Sequence, residues 1–361
     1  MLKRLLTALF IPALACATVI AQELSPTHLH QPTLTPQNSG TTSGLIAVWP
    51  VNPQVVWASG RAGTFTVTTD GGQTWRAGVV PGAEALQFRD VQAFSASVAY
   101  LMSIGANPTD FRVYKTLDSG ATWTIQFENQ NPLAFYDAFA FWTPHRGILH
   151  SDSVNGVFPD FRTTDGMSWQ DISNNMPPAL PSEFSFASSG TCVTTQGGRN
   201  AWICTGGSDI ARVLATRDGG DTWNAYNTPL VSSPSAGAFT VDFRDPHNGI
   251  VGGGDLDPGD PNNARTAISN DGGQTWTLTN PPPVTGAIFG LSYVGHSGGG
   301  VGDSGRAVVI TANDGGAAWT PDEGNTWFAL PDVSGFWAVA FATPKAGWLV
   351  GTDGRILKIS F

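Results

Sequence analysis

Apolar residues in this chain occur in short runs, and polar turns rich in glycine and proline separate them. One arrangement recurs: an apolar run that ends in an aromatic residue, a short turn, and a second apolar run. Examples are Phe141–Ile148, Phe243–Ile250 and Phe341–Trp348. Runs of this length between turn residues are typical of β-strands. Each unit therefore predicts two neighbouring strands of a small antiparallel sheet.

A second repeat, Ser/Thr-x-Asp-x-Gly-x-Thr-Trp, follows these strand pairs along the chain. Five full copies and one shortened copy are present: Thr68–Trp75, Thr116–Trp123, Thr216–Trp223, Ser269–Trp276, Thr320–Trp327 and the shortened Thr163–Trp169. Successive aspartates lie 47 to 53 residues apart. That spacing matches one four-stranded propeller blade per repeat.

Six repeats give six complete blades, and Phe336–Phe361 supplies three strands of a seventh. A strand near residues 31–37 would complete that sheet, and closing a ring in this way removes exposed sheet edges. The sequence therefore predicts an all-β protein, a single seven-bladed propeller over residues 22–361 with its last blade closed by an N-terminal strand. The expected blades are about 45–80, 86–129, 134–174, 183–229, 237–280, 286–331, and 336–361 with 31–37.

The repeated motif has a structural explanation that needs no ligand. Aspartate accepts hydrogen bonds from backbone N–H groups in a tight turn, glycine adopts positive φ there, and tryptophan covers the turn. The motifs should lie on the face opposite the loops that usually carry a propeller's binding site. We therefore assign a structural role to two sets of residues: Asp70, Asp118, Asp165, Asp218, Asp271 and Asp322, with Trp75, Trp123, Trp169, Trp223, Trp276 and Trp327.

The N-terminus is typical of an export signal, with Lys3 and Arg4 before an apolar run and small residues, which predicts cleavage after Ala21. The alternative is a lipoprotein acylated at Cys16, although the residues before that cysteine match a lipobox poorly. Cleavage would leave 16 basic against 28 acidic residues, a net charge of −12. A periplasmic or secreted monomer that does not bind nucleic acid is expected. After residue 22 no stretch is apolar for long enough to cross a bilayer.

Two cysteines remain after such cleavage, in a predicted hairpin centred on Gly198 that places Cys192 opposite Cys204. In an oxidising compartment this pair would form a cross-strand disulfide, although hairpin geometry strains such bonds. Two buried free thiols are the alternative. Their spacing matches neither a zinc site nor a redox motif.

Charged residues near the starts of the inner strands are the candidates for a functional site. Arg89-Asp90 and Tyr136-Asp137 are expected at equivalent positions of blades two and three, so that Asp90 and Asp137 would flank one bond as acid and base. Neighbouring loops would add the remaining candidates, Arg61, Asp152 and Glu183. The alternative is that these carboxylates cap loop backbone or pair with arginines.

The longest loop in this pattern, residues 252–263, carries Asp255, Asp257 and Asp260. Carboxylate oxygens suit Ca²⁺, but the spacing departs from an EF-hand, and a solvated acidic loop is the alternative. The sequence contains neither a P-loop nor a dinucleotide fingerprint, so no cofactor is predicted.

These motifs resemble the Asp-box (BNR) repeat families over the whole mature chain. The single ring, the export signal and the ending Gly347–Ile356 are most similar to the photosystem II assembly and stability factors and their bacterial relatives. That resemblance implies an exported scaffold that binds another envelope or secreted protein. Sialidases also carry Asp boxes, so a glycoside hydrolase or a carbohydrate-binding module is the alternative, although the sialidase Phe-Arg-Ile-Pro motif is absent. A purely structural propeller is a third hypothesis.

Overall fold

The computed structural model of the chain describes residues 31–257, 264–295 and 305–361, which form seven four-stranded antiparallel sheets. The first three blades comprise β2–β5 (Leu45–Pro50, Val56–Gly60, Thr64–Thr68, Arg76–Val79), β6–β9 (Gln87–Ala93, Ala99–Ile104, Arg112–Thr116, Thr124–Glu128) and β10–β13 (Tyr136–Thr143, Arg146–Ser151, Phe161–Thr163, Gln170–Asp171). The next three comprise β14–β17 (Val193–Gln196, Asn200–Thr205, Arg212–Thr216, Asn224–Asn227), β18–β21 (Ala236–Phe243, Gly249–Asp255, Thr266–Ser269, Thr277–Leu278) and β22–β25 (Gly290–Tyr293, Val308–Thr311, Ala317–Thr320, Phe328–Ala329).

The seventh blade contains β26 (Phe336–Thr343), β27 (Ala346–Gly351), β28 (Arg355–Ser360) and the N-terminal strand β1 (Thr33–Asn38). Strand β1 pairs antiparallel with β28 as the outermost strand, with Thr33 opposite Ser360. The predicted fold class, a seven-bladed all-β propeller closed by an N-terminal strand, is therefore confirmed. Helix in the described residues is limited to three single-turn 3-10 segments, and none is long or apolar enough to span a membrane.

Inner and outer strands differ in burial because each blade packs between two others around the axis. Every residue of β18 is buried, whereas the outer strand β5 is exposed or half-buried at all four positions. Inner strands covered on both faces have continuous apolar runs instead of alternating ones. The core accordingly lies between adjacent sheets: Trp202 of blade four stacks on Phe243 of blade five, with ring centroids 3.7 Å apart.

The Asp-box turns follow the third strand of each of the first six blades. In the first turn the Asp70 carboxylate accepts the Thr68 hydroxyl at 2.7 Å, and the Thr74 backbone N–H and hydroxyl at 2.9 and 2.6 Å. These bonds lower the pKa of Asp70 to about 2, the Thr74 hydroxyl having the largest effect. Related carboxylate-centred bonds occur in the other five turns, at Asp118, Asp165, Asp218, Asp271 and Asp322.

Candidate functional site at the channel mouth

The inner strands surround an axial channel, and a β-bulge lies near the start of the inner strand in five blades. Each bulge leaves one residue without a partner on the neighbouring strand: Ile46, Arg89, Asp137, Phe239 and Trp337. Bulges redirect side chains and are frequent near functional sites. These positions lie at the end of the channel that is opposite the Asp-box turns. We call this end of the channel the channel mouth.

The bulges correct one sequence-based alignment. Arg89-Asp90 and Tyr136-Asp137 were expected to be equivalent, but the unpaired residues are Arg89 in blade two and Asp137 in blade three. Asp90 therefore lies one residue deeper along its strand than Asp137 does. The two carboxylates do not form a matched pair across adjacent blades.

A segment of blade four crosses the channel mouth, which the sequence did not predict. Val193 pairs with Ile203, and Phe184 pairs with Gly206. These two pairings are nine residues apart along one strand but only three apart along the other. The six additional residues form an excursion from the sheet, and we call residues 186–191 the strap. Serine and glycine at 188–190 are the only hint of this excursion in the sequence.

The strap is bonded to blades two and six, each of which lies two positions from blade four in the ring. Arg89 of blade two donates from Nη1 to the Ala187 carbonyl at 3.0 Å, and the Ser188 hydroxyl donates to the Phe289 carbonyl near blade six at 3.2 Å. Gly190 has φ of +75°, and a Cβ at this position would lie 2.4 Å from Asp90 Oδ1. Glycine is therefore required where the strap passes Asp90.

Below the strap, inner-strand residues of all seven blades line a cavity of about 70 Å³. Polar side chains on these strands bond mainly to the neighbouring blade. Asp90 Oδ2 accepts the Phe139 backbone N–H at 2.9 Å, and Asp242 Oδ2 accepts the Tyr293 N–H at 3.0 Å. Burial raises the pKa of Asp90 well above its ordinary value. In this geometry Asp90 joins two inner strands, which corresponds to the capping alternative.

Asp137 and Asp152 form a carboxyl pair at the top of blade three. Asp137 is fully buried, and within the described residues no N–H or hydroxyl donates to either of its oxygens. After burial, the carboxyl of Asp152 contributes most to raising the pKa of Asp137. Burial raises the pKa of both groups, that of Asp152 to about 6. Asp152 Oδ1 also accepts the Ser185 backbone N–H at 2.9 Å.

The arginines of the mouth lie beside this pair. Burial and, to a smaller extent, the charge of Arg61 lower the pKa of Arg89 to about 10, although the charge of Asp137 partly offsets both effects. The Arg89 guanidinium also lies 5.9 Å from the centre of the Trp337 ring. Arg61 itself is exposed. Thus Arg61, Arg89, Asp137 and Asp152 do come together.

Tyr136 and Glu183 are both bonded inside the protein. The buried Tyr136 hydroxyl donates to the Pro159 carbonyl at 3.3 Å, and burial raises its pKa. Glu183 forms a buried ion pair with Arg212 and also accepts the Thr205 hydroxyl at 2.6 Å. Its carboxylate is therefore engaged in holding the connection before the strap against blade four.

A buried chain of polar side chains lies beneath the first residues of the strap, and no sequence motif had grouped these residues. His150 contacts the Asp160 carboxylate at 2.8 Å through Nδ1 and the Ser185 hydroxyl at 2.8 Å through Nε2. This order matches a serine–histidine–aspartate triad. The three residues are each at least 97% buried, and Ser185 also donates to the Cys204 carbonyl at 2.9 Å. A substrate has no access to these buried side chains. They therefore link Ser185, the residue directly before the strap, to blades three and four.

The two cysteines face each other as the hairpin register predicts, but they do not form the disulfide considered from the sequence. Both thiols are free and fully buried, and the Cys204 N–H donates to the Cys192 carbonyl at 2.9 Å. Burial raises the pKa of both thiols. Cys192 and Cys204 are therefore two buried free thiols, which was the alternative considered from the sequence.

The acidic loop after β19 is described only in part, since Asp260 lies outside the described residues. Asp255 Oδ1 accepts the Ser235 hydroxyl at 2.7 Å and the Asp257 backbone N–H at 2.9 Å, an ordinary turn. Across the part of the chain that the structure describes, no three histidine, cysteine or acidic residues are grouped to hold a metal ion. The predicted signal peptide and Cys16 likewise lie outside the described residues.

The fold and the mouth together define a seven-bladed propeller whose channel is crossed by a segment of its own chain. No protein-family model matches the sequence. The chain is 25% identical over 239 residues to the chloroplastic photosystem II stability/assembly factor HCF136 of Cyanidioschyzon merolae. The aligned region covers 62% of this chain and 51% of that protein, so the chain spans about half the length of this curated relative. The predicted resemblance to the photosystem II assembly and stability factors is confirmed.

Solved structures show the same fold. YCF48 bound to D1 peptide superposes with a TM-score of 0.63 at 16% identity, covering 92% of this chain and 98% of that one. YCF48 from Cyanidioschyzon merolae gives 0.62 at 17% identity, covering 91% and 98%. The WD40 β-propeller domain of Doa1 gives 0.58 at 11% identity, covering 91% and 97%. At these identities the similarity concerns the fold.

Proposed function

We propose that this chain is an exported, non-catalytic scaffold that binds a segment of another protein on the face of the channel mouth. The main support for this proposal is the distribution of exposed apolar side chains. Four of them lie in loops of this face, from the connection after blade two to the loop after β19 in blade five: Leu133, Val157, Ile210 and Leu256, which are 68%, 46%, 39% and 50% exposed. Exposed apolar residues grouped on one face are typical of interaction surfaces.

The polar groups of the same face support binding over catalysis. Asp90 and Glu183 are bonded to backbone and arginine, and the serine–histidine–aspartate chain is sealed from solvent. A glycoside hydrolase needs two accessible carboxyl groups flanking one bond. The similarity to an assembly factor, and to a propeller solved with a bound peptide, points to a polypeptide as the ligand.

The proposal is tested by capture from the envelope fraction of the source organism with three forms of the protein. The first is wild type, and the second carries serine at Leu133, Val157, Ile210 and Leu256. The third carries serine at Leu117 and Met167, which are 67% and 64% exposed in the Asp-box turns of the opposite face. A partner held by wild type and the third form, but lost from the second, supports the proposal.

Two results would overturn it. A partner that the second form retains would place binding elsewhere on the ring. Hydrolysis of a glycan by wild type, abolished when Asp90 and Asp137 are both changed to asparagine, would establish the glycoside hydrolase alternative. Export is tested separately by locating the mature protein and sequencing its N-terminus, where a start at residue 22 is expected.

A further inference from the structure

A groove lies between blades five and six on the face of the channel mouth. Its volume is about 360 Å³, compared with about 70 Å³ for the axial cavity below the strap. Ligand pockets usually occupy about 300–1,000 Å³, so the groove can hold one or two residues of a bound segment. Three stretches of chain line it: residues 255–256 at the end of β19, residues 285–287 with Phe289 before β22, and residues 312–315 after β23.

The stretches before β22 and after β23 meet in direct backbone contact. The Thr285 N–H donates to the Gly315 carbonyl at 3.0 Å, and a Cβ on Gly315 would lie 1.8 Å from the Thr285 carbonyl oxygen. Glycine is therefore required for this approach. The buried Arg265 also donates to the Val284 and Gly286 carbonyls at 2.9 and 2.8 Å. These bonds hold the groove in shape without a ligand.

Part of the lining is apolar. It comprises the buried Ala287 and Ala312, the half-buried Phe289, and Leu256, which is 50% exposed. Phe289 packs on the ring of Trp337, with centroids 5.2 Å apart, so its position is fixed from the other side. An apolar side chain of a partner would be removed from water against Leu256 and Phe289.

Asn313 supplies a hydrogen-bond acceptor that lacks a donor. Its backbone is fixed, since its N–H donates to the Phe336 carbonyl at 3.1 Å and its carbonyl accepts the Gly335 N–H at 2.8 Å. Its Oδ1 is buried, yet within the described residues no group donates to it. A buried acceptor left unpaired is costly, and an N–H of a bound segment would satisfy it.

The charged side chains that line the groove, Asp255 and Asp314, are both acidic. Asp314 is exposed, and across the described part of the chain it has neither an ion pair nor a hydrogen bond. Asp255 Oδ1 accepts the Ser235 hydroxyl and the Asp257 N–H, whereas Oδ2 is reached by the Ser233 hydroxyl at 3.5 Å. Asp314 and Asp255 Oδ2 can therefore both accept further donors.

The loops around the groove add to this negative charge. Among the residues that the structure describes, the exposed basic side chains of this face are Arg61 and, at the start of β28, Arg355. The exposed acidic side chains of its loops are more numerous: Glu84, Asp209, Asp257, Asp314, Asp332 and Asp353. A face with this excess of carboxylates attracts a cationic segment and repels an acidic one.

We propose that the groove binds a cationic segment of the protein partner. A lysine or arginine of the segment pairs with Asp314 and Asp255, and an adjacent apolar side chain packs against Leu256 and Phe289. A backbone N–H of the segment donates to Asn313 Oδ1. This site rests on the proposed function, because that function makes the ligand a polypeptide, and the groove adds the chemistry that selects it.

Fluorescence anisotropy with three labelled peptides tests this selectivity in the mature protein. The basic peptide is Gly-Ser-Lys-Phe-Lys-Ser-Gly, the acidic peptide has glutamate at both lysines, and the third has serine in place of phenylalanine. Wild type should bind the basic peptide about tenfold more tightly than the acidic one at low ionic strength. Loss of the phenylalanine should weaken binding about fivefold.

Asp314→Lys is the main variant because Asp314 has no internal partner to lose. It should weaken binding of the basic peptide about tenfold and favour the acidic peptide. Asp314→Asn, with a loss of about threefold, replaces it if the reversal folds poorly. Glu84→Lys makes the same charge change on the same face near blade two, and its affinity should stay within about twofold of wild type.

A basic peptide with benzoylphenylalanine in place of phenylalanine locates the site by photo-crosslinking. The cross-link should fall on Leu256, residues 285–289 or residues 312–315. Equal affinity for the basic and acidic peptides, equal losses in Asp314→Lys and Glu84→Lys, or cross-links elsewhere would refute the groove. A wild-type dimer that Asp314→Lys converts to a monomer in sedimentation would assign the groove to a second copy of the chain and likewise overturn the proposal.

The groove and the scaffold fail separately. An envelope protein captured equally by wild type and Asp314→Lys, together with peptides bound without preference, would remove the groove and retain the scaffold. Selective peptide binding that cross-links to the groove, with no envelope protein captured, would support the groove and count against the scaffold.

Discussion

Replacing Gln37 with alanine tests how the ring is closed. Gln37 lies on the N-terminal strand β1, and its Oε1 accepts the indole N–H of Trp75 from blade one and of Trp348 from blade seven, both at 3.1 Å. Its Nε2 donates to the Gly71 carbonyl at 3.4 Å. One side chain thus joins both ends of the ring.

The cost of the change is dominated by the indole groups left behind. A buried donor without a partner costs about 1–3 kcal/mol. Trp348 is fully buried and should incur most of this penalty, whereas Trp75 is partly exposed and can find water. We expect the free energy of unfolding to fall by about 2 kcal/mol, which corresponds to a decrease in Tm of about 3 °C for a chain of this length.

Thermal unfolding followed by calorimetry measures this effect. Gln37→Glu keeps an acceptor oxygen for both indoles and should retain most of the stability. Gln73→Ala removes an exposed glutamine of the nearby turn and should leave Tm within 1 °C or so of wild type. If Gln37→Ala unfolds at the wild-type temperature, the two indole bonds do not stabilise ring closure.

Other perturbations address the Asp-box turns, the buried ion pair and the cysteines. Asp118→Ala should lower Tm and leave partner binding intact. Because the hydrogen bond from Thr122 lowers the pKa of Asp118, the higher Tm of wild type should disappear as pH falls below about 4. Measuring Tm of both proteins from pH 6 to 2 tests this. Binding lost at unchanged Tm would contradict this role. Glu183→Ala should destabilise by about 3–5 kcal/mol in denaturant titration by leaving Arg212 buried and unpaired, and a loss below 1 kcal/mol would show that the pair is solvated. Cys192 and Cys204 should react with a thiol reagent only after unfolding, and fast labelling of either in the native protein would contradict their burial.

The blades were predictable from sequence because their signals are local. An Asp-box turn forms within eight residues, so Thr68–Trp75 carries its own turn chemistry and packing tryptophan. Regular spacing then gave one sheet per repeat. Ring closure was predictable by counting, since Phe336–Phe361 supplied three strands and the N-terminal residues were the remaining source of a fourth.

The candidate site was predicted only in outline. The sequence placed Arg61, Arg89, Asp137 and Asp152 on one face, and the structure brings them together there. It aligned Asp90 with Asp137 wrongly, because a β-bulge shifts register by one residue without a distinct sequence signal.

The sequence by itself determined the repeat, the number of blades and the closing strand, because hydrogen bonds and packing within short segments specify them. Tertiary structure alone decided that residues 186–191 cross the channel, since this depends on the pairing of Phe184 with Gly206. It also decided which polar groups meet, as Asp152 raises the pKa of Asp137 and His150 contacts Ser185. These contacts join separate strands and loops, and their chemistry depends on burial that only the closed ring produces.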